Sequence, residues 1–370
     1  MATMTGTGPF TVAGSLPARM KAPVYRGIND VRLEEMPVPQ IGAGEVLIRV
    51  HSCGVCGTDL KKIHTGSHSA PRIFGHETAG VIAAVGRDVA GFRPGDRVVV
   101  FHHVPCGDCY YCRKKTFAQC DSYKRVGCTA GFEPSGGGFA EYVRVMDWIV
   151  KRGLVRIPDD VPFEQAAFVE PVNTCFKAVR NLKIEADETV LVIGQGPIGI
   201  LLASLASRSG AKVLTSDLYP ERHKIAANYG LAHPIDASRE DVIAVTRAES
   251  EGRGADVVIL AVGGNSLIRT AMDAARPGGR ILLFAQTQHG EVTIDPAVVC
   301  MDEKSLMGSY SSSADIQEEG AKLVFEGYRN GFDLTRLISH RFPIDQAVEA
   351  IQIASNPCAS SMKVMIHPGA

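Results

Sequence analysis

The pattern of apolar and polar positions changes rhythm near residue 189. Before it, from about Val24 to Val150, short β-branched runs such as EVLIRV, AGVIAAV, DRVVVF and FAEYVRV are separated by Gly, Pro and Asp turn signals. That spacing predicts a compact β structure with long loops. After it, TVLVIG, KVLTSDL, ADVVILAV and GRILLFA alternate with helix-like stretches such as PIGILLASLASRSG. Strands alternating with helices predict an α/β unit whose parallel sheet is covered on both faces. From about residue 313 a helix and a strand follow without another βαβ unit, so this segment is predicted to pack back on the first domain.

Composition narrows the partner more than the fold. At 370 residues, 45% hydrophobic and 21% charged, the chain is long enough for about two domains. Lys plus Arg total 39 against 40 acidic residues, which leaves no positive field for nucleic acid or an anionic membrane. A small molecule is the expected partner. Ten cysteines, several at metal-ligand spacings, are too few for a disulfide scaffold and point to a reducing, cytoplasmic compartment. The first residues lack a basic start and a sustained apolar run, and the most hydrophobic helix is broken by serines and Arg208. No secretion signal or membrane span is expected. Residues 1–19, rich in Gly, Thr and Ala, read as a mobile extension.

Three motifs carry chemistry. In VLVIGQGPIG, Gly194, Gly196 and Gly199 fall in a G-x-G-x-x-G frame after an apolar strand. The first permits a tight turn, the second lets a pyrophosphate approach, and the third allows helix to pack on strand. Pro197 and Ile198 then open a helix whose N-terminus offers free N–H groups to phosphates. Asp217 ends the next strand, eighteen residues beyond Gly199, where a carboxylate accepts from ribose hydroxyls and repels a 2′-phosphate. NAD is therefore expected over NADP, with Arg222 close enough to complicate the preference or to stack on the adenine side.

The second motif, CGDCYYCRKKTFAQC, spaces Cys106, Cys109, Cys112 and Cys120 to close a tetrahedral shell, the mark of a structural Zn²⁺ site. An iron–sulfur run is the competitor; the separate dinucleotide fold and the absence of a Cys-Pro ending argue against it. The third begins at SCGVCGTDLKKIH, where Cys53 and Cys56 suggest a dithiol, half of a zinc site, or one working thiolate beside a bystander. Twenty residues after Cys56 stands FGHETAG, with His76 and Glu77 adjacent. Cys, His and carboxylate make a mixed ligand set that leaves a position open for a substrate oxygen, and zinc there promotes alcohol ionisation.

The motifs GVCGTD, GHETAGVIAAVG, GFRPGDRVVV, the cysteine loop, GGFAEY and VIGQGPIG, in this order, resemble the zinc-dependent medium-chain dehydrogenase/reductase family. The resemblance runs from about Met20 to the C-terminus. It implies a GroES-like β catalytic domain over 20–172, a Rossmann NAD-binding domain over 173–312, and a C-terminal segment over 313–370 on the catalytic domain. It also implies one catalytic and one structural zinc, and a homo-oligomer, dimer or tetramer.

By the same resemblance, Cys56, His76 and Glu77 match catalytic zinc ligands and select Cys56 over Cys53. Glu170, in VEPVNTC, matches an acidic residue that binds zinc, holds its water or contacts substrate, while Cys175 is expected to be buried. Thr58 matches the hydroxyl that takes the alcohol proton. The pattern departs at Lys61, where many relatives carry a relay histidine; a protonated lysine is no base unless its pKa falls. His64 reads as a surface residue, and His102 or His103 as a pocket wall.

The acidic residue at 170 points to the polyol and threonine dehydrogenase branch. The expected activity is oxidation of a secondary alcohol, of a polyol, sugar-like or amino alcohol, to the ketone. Sorbitol-type enzymes present an Arg-Tyr pair where this chain reads GSYSSSAD, with Ser311 and Ser312. L-Threonine 3-dehydrogenase is the nearest alternative, and a metal-free NADPH-binding quinone reductase or structural protein the more distant one.

Overall fold

The computed structural model describes residues 4–5, 10–13, 15–285 and 290–369. The chain divides into two compact units, residues 1–170 together with 313–370, and residues 171–312. The first division falls after Glu170, inside the helix Val169–Leu182, and not after residue 172. An uninterrupted helix carries no turn signal, so nothing in the local sequence marks the boundary.

The first unit is built on a ten-stranded sheet. Its centre is the antiparallel pair Val46–Gly54 and Glu77–Gly86, in register with Gly54 opposite Glu77 and Cys53 opposite Thr78. Val46, Ile48, Val50, Ile82, Val98, Val143 and Val145 fill the core beneath them. The C-terminal strand Lys363–His367 joins the other side of Val46–Gly54, with Met365 opposite Gly54. Buried Gln165 also ties in this C-terminal segment, donating to the Val324 carbonyl at 3.0 Å and accepting from the Leu334 N–H at 2.7 Å.

Within residues 1–19, expected as a mobile extension, part of the chain is strand. Phe10–Ala13 forms a strand antiparallel to Glu77–Gly86, and Met4–Thr5 pairs with it. The open edge of the sheet recruits the short β-favouring run Phe-Thr-Val, which the surrounding Gly and Ala disguise. Residues 1–3, 6–9 and 14 lie outside the described residues.

The second unit is a six-stranded sheet in the order His233–Asp236, Lys212–Asp217, Thr189–Ile193, Ala255–Leu260, Ala275–Leu283, Ser305–Gly308. All neighbours run parallel. Thr189–Ile193 is buried throughout, as a strand covered on both faces must be. The strand order reverses beside it, which is the switch point where α/β sheets open a crevice for a dinucleotide. Among the described residues no helix is long and apolar enough to cross a membrane.

Candidate active site

The sheet register assembles the first constellation. Gly54 and Glu77 face each other at neighbouring strand ends, so Cys56, just past one end, and His76, just before the other, are brought together across twenty residues of chain. The ligand atoms of Cys56, His76 and Glu77 all lie within 4.8 Å of one another. Cys56 caps the helix Gly57–Thr65, its Sγ accepting from the Thr58 N–H at 3.5 Å. Thr58 therefore sits in the first turn, exposed, beside the thiol.

Asp59, one residue further, is fully buried and lies 3.0 Å from His76 Nδ1 through its Oδ1, leaving Nε2 as the ligand atom of that ring. A carboxylate behind a ligating imidazole fixes both its tautomer and its orientation. Burial alone would lower the His76 pKa, but Asp59 and Cys56 outweigh it and raise it well above the usual range. The buried Asp59 carboxylate draws positive charge to the spot, and the soft and hard donors together fit zinc.

Glu77 is also engaged elsewhere. Its buried carboxylate is ion-paired with Lys363, whose side chain is 7% exposed and also donates to the Val55 carbonyl at 3.2 Å. Burial would lower the Lys363 pKa, yet Glu77, Cys56 and Glu170 together more than offset this and it is raised. Gly54 makes room for the pair: a Cβ there would lie 1.9 Å from Glu77 Oε2 and 2.6 Å from Lys363 Cε.

Glu170, at the start of Val169–Leu182, is buried but stands outside the three-residue set. Burial pushes its carboxyl up to about 7. Cys175 is fully buried in the same helix, and Cys53 is buried with its Sγ 3.5 Å from Thr78 Oγ1. His64 bridges Asn29 Oδ1 at 2.5 Å and Ser355 Oγ at 3.1 Å, and so serves as a tie between elements.

His102 and His103 join a run of four rings. Centroids are 4.7 Å apart for His76 and His102, 4.0 Å for His102 and His103, and 5.1 Å for His103 and Tyr123. Burial keeps both middle rings neutral, His102 well below the usual range and His103 at about 3.

In the cysteine loop the sulfurs of Cys109 and Cys112 are 3.5 Å apart, those of Cys120 and Cys106 3.6 Å, and those of Cys106 and Cys112 3.8 Å. A disulfide requires about 2.05 Å. A tetrahedron with Zn–S bonds of about 2.3 Å has edges of about 3.8 Å, which the loop fits. Backbone N–H groups of Cys106, Gly107 and Cys109 point at these sulfurs and stabilise thiolates.

In the second unit, Gly194 has φ +96°, and a Cβ on Gly199 would lie 1.8 Å from the Gly194 carbonyl oxygen. Both are glycine because the turn's own packing demands it. Gly196 differs: its φ is −69° and a Cβ would meet nothing within 4 Å. Open space above this residue, at the N-terminus of the helix Pro197–Ser207 that includes Ile198, fits a pyrophosphate approaching the backbone. Asp217 accepts from the N–H of Gln195 at 2.6 Å and of Tyr219 at 3.0 Å, and from Arg222 at 3.3 Å. Arg222 also lies over the Tyr219 ring at 4.9 Å. Ser311 has φ +63°, and its carbonyl lies 3.4 Å from Lys177 Nζ, while Ser312 is buried.

Sequence reasoning missed Asp59 and Lys363. Asp59 had a signal, three residues after Cys56 in CGTD; Lys363 had none, because β pairing alone brings it here.

Residues 42–159 match the alcohol dehydrogenase GroES-like domain and residues 197–326 the zinc-binding dehydrogenase domain. The chain is 28% identical to a sorbitol dehydrogenase from Bacillus subtilis (strain 168), over 96% of its own length and 99% of that protein's. It is 33% identical to an L-threonine 3-dehydrogenase from Anaeromyxobacter sp. (strain Fw109-5), over 91% and 95% of the two chains. A Sinorhizobium meliloti 1021 structure solved with NADP bound superposes with a TM-score of 0.84 at 29% identity, covering 95% of this chain and 100% of that one. With both domains matched in order and the likeness running nearly end to end, the chain belongs to the zinc-dependent medium-chain dehydrogenase/reductase family, in its polyol and threonine dehydrogenase branch.

Proposed function

We propose that the chain oxidises a secondary alcohol, of a polyol, sugar-like or amino alcohol, to the ketone with NAD as hydride acceptor. The observation that carries this reading is the meeting of Cys56, His76 and Glu77 beside the exposed Thr58. Those three residues, with Glu170 as a further ligand, a holder of water or a substrate contact, hold the catalytic zinc. Cys106, Cys109, Cys112 and Cys120 hold the structural one. Zinc in the first set supplies Lewis acidity toward the alcohol oxygen. Asp59 keeps the His76 ring in place, and the Thr58 hydroxyl begins proton removal, taking the alcohol proton as it gives its own to the solvent to which it is exposed.

Gly194, Gly196, Pro197, Ile198 and Gly199 cradle the pyrophosphate, and Asp217 and Arg222 attend the adenosine ribose. The Asp217 carboxylate favours NAD. The relative with NADP bound makes this preference the first point to measure.

The test is a screen for reduced cofactor across polyols, cyclitols, sugar phosphates, threonine and simple diols, run with NAD and NADP alongside metal analysis. We expect about two zinc ions per chain and turnover of secondary alcohols with NAD. Activity confined to primary alcohols overturns the substrate class. The 33% likeness to a threonine 3-dehydrogenase favours a second reading, selected if threonine outpaces every polyol. Protein purified without zinc selects the metal-free alternative.

The reading includes a cytoplasmic homo-oligomer, dimer or tetramer. Met301, Leu306 and Tyr310, exposed on and beside the edge strand Ser305–Gly308, support self-association. Sedimentation as a monomer at micromolar concentration opposes it.

A further inference from the structure

Lys62 carries a charge that its own surroundings leave unpaired. It follows Thr58 by one turn of the helix Gly57–Thr65, and residues four apart share a helix face, about 6 Å apart along the axis. Asp59 and Ile63 turn into the core, while Lys62 stays half-buried beside them. Its ammonium lies 5.5 Å from the centre of the Phe74 ring, which His68 meets edge-on at 5.9 Å and which stands two residues before His76.

The carboxylates nearby are engaged elsewhere, Asp59 with His76 at 3.0 Å and Glu77 with Lys363. Among the described residues none is ion-paired with Lys62. The charge nonetheless reaches the site: it is felt at Asp59, His68, His102 and His103, in each case behind the effect of burial. His102 and His103 are neutral rings and offer no counter-charge. A cation therefore faces the run of rings that leads to His76, one helical turn from the hydroxyl of Thr58.

We propose that Lys62 selects substrates by charge: the secondary alcohol carries an anionic group, a phosphate ester or a carboxylate, a few bonds from its reacting carbon, and Lys62 binds that group. This rests on the assignment of the alcohol site to Cys56, His76 and Glu77. An ammonium on a flexible stem donates up to three hydrogen bonds and accepts either anion without demanding a fixed plane. Phe74 shields one side of it from water, which strengthens its attraction for an anion relative to bulk solvent. A neutral polyol offers the same ammonium only hydroxyl oxygens, and bonds between two charged partners are roughly twice as strong as neutral ones.

Two architectural roles make a different prediction. A lysine in the last turn complements the helix dipole, and over Phe74 it makes a cation–π contact. Both act on stability and treat every substrate alike, whereas an anion subsite acts on the choice between substrates.

The test compares kcat/KM within matched sets: erythritol with erythritol 4-phosphate and erythronate, sorbitol with sorbitol 6-phosphate and gluconate, and threoninol with threonine. In at least one set an anionic member is expected to exceed its neutral parent by about 10- to 100-fold. A lead for the phosphate ester assigns the anion to phosphate, and a lead for the acid assigns it to carboxylate. Lys62→Met is expected to bring that ratio close to one, and Lys62→Arg to keep most of it. Lys62→Gln gives the same readout where methionine impairs folding. Neutral parents that match or outpace their anionic partners in every set overturn the proposal, as does a ratio that survives in the folded Met or Gln variant. Failure to oxidise any secondary alcohol, neutral or anionic, instead overturns the reading on which it rests.

Discussion

His76 Nδ1 lies 3.0 Å from Asp59 Oδ1, and neither residue has appreciable contact with solvent. Because the Gly75 N–H also points at Oδ1, at 3.4 Å, the carboxylate ties the approach to the strand Glu77–Gly86 to the helix Gly57–Thr65. Replacing Asp59 by Ala is expected to lower zinc affinity at the Cys56 set by about 10- to 100-fold. Competition with a chromogenic chelator measures this. Unchanged affinity would remove Asp59 from the support of His76.

At Gly54 the argument is steric. An added methyl would lie 1.9 Å from Glu77 Oε2, a separation no folded structure tolerates, and the nearest relief is to break the Glu77 pair with Lys363. Gly54→Ala is expected to destabilise the first unit by about 1–3 kcal/mol and to reduce activity sharply. Denaturant unfolding and zinc content report the two effects. Native stability in this variant would show that the pair is not confined as described.

Acid sensitivity should arise partly at Glu164. His367 and Arg341 reach its carboxylate, His367 Nε2 at 3.1 Å and Arg341 through two bonds of 2.8 and 3.0 Å. The bond from His367 is the largest influence; against the opposing effect of burial, it and Arg341 lower the carboxyl from 4.5 to about 2. A carboxyl lowered on folding stabilises the protein above its unfolded value, and that stability drains away as pH falls from about 4.5 toward 2. Partial exposure screens the effect, leaving about 1 kcal/mol. Glu164→Gln is expected to be less stable than wild type at pH 6, with the gap narrowing below pH 4.5 and closing as pH falls to about 2. A gap that stays constant across that range, in urea unfolding, would exclude the linkage.

Cofactor choice is expected to turn on Asp217. Its carboxylate already takes two backbone N–H groups and Arg222, so it organises the glycine turn as well as presenting charge. Asp217→Asn removes the charge and keeps an acceptor for one of the two N–H groups, which bind different oxygens of the carboxylate. We expect the preference to shift toward NADP by roughly tenfold, equal to about 1.4 kcal/mol. Titration of both dinucleotides measures it, and an unaltered ratio would assign discrimination elsewhere.

The features legible in the sequence are those whose parts are close along the chain. Gly194, Gly196 and Gly199 share one turn, and Cys106 to Cys120 one loop, so spacing alone predicts their grouping. Cys56 and His76 could be grouped by residue type, but only likeness to a family selected Cys56 over Cys53, since the register of two strands brings the pair together. Lys363 lies about three hundred residues from Glu77 in the chain, and a lysine in an apolar strand announces no partner. The division after Glu170 was equally hidden, because an α-helix looks the same on both sides of it.

The run of four rings in contact gives the cysteine loop a reach beyond its own fold. Tyr123, whose N–H donates to the Cys120 carbonyl at 3.0 Å, rests on His103, which rests on His102, which rests on His76. Displacing the first ring removes the support of the last. An oxidant that attacks the four loop cysteines is therefore expected to act on His76 from a distance, so that loss of turnover tracks loop oxidation even while Cys56 is still reduced; turnover that survives loop oxidation would uncouple the two.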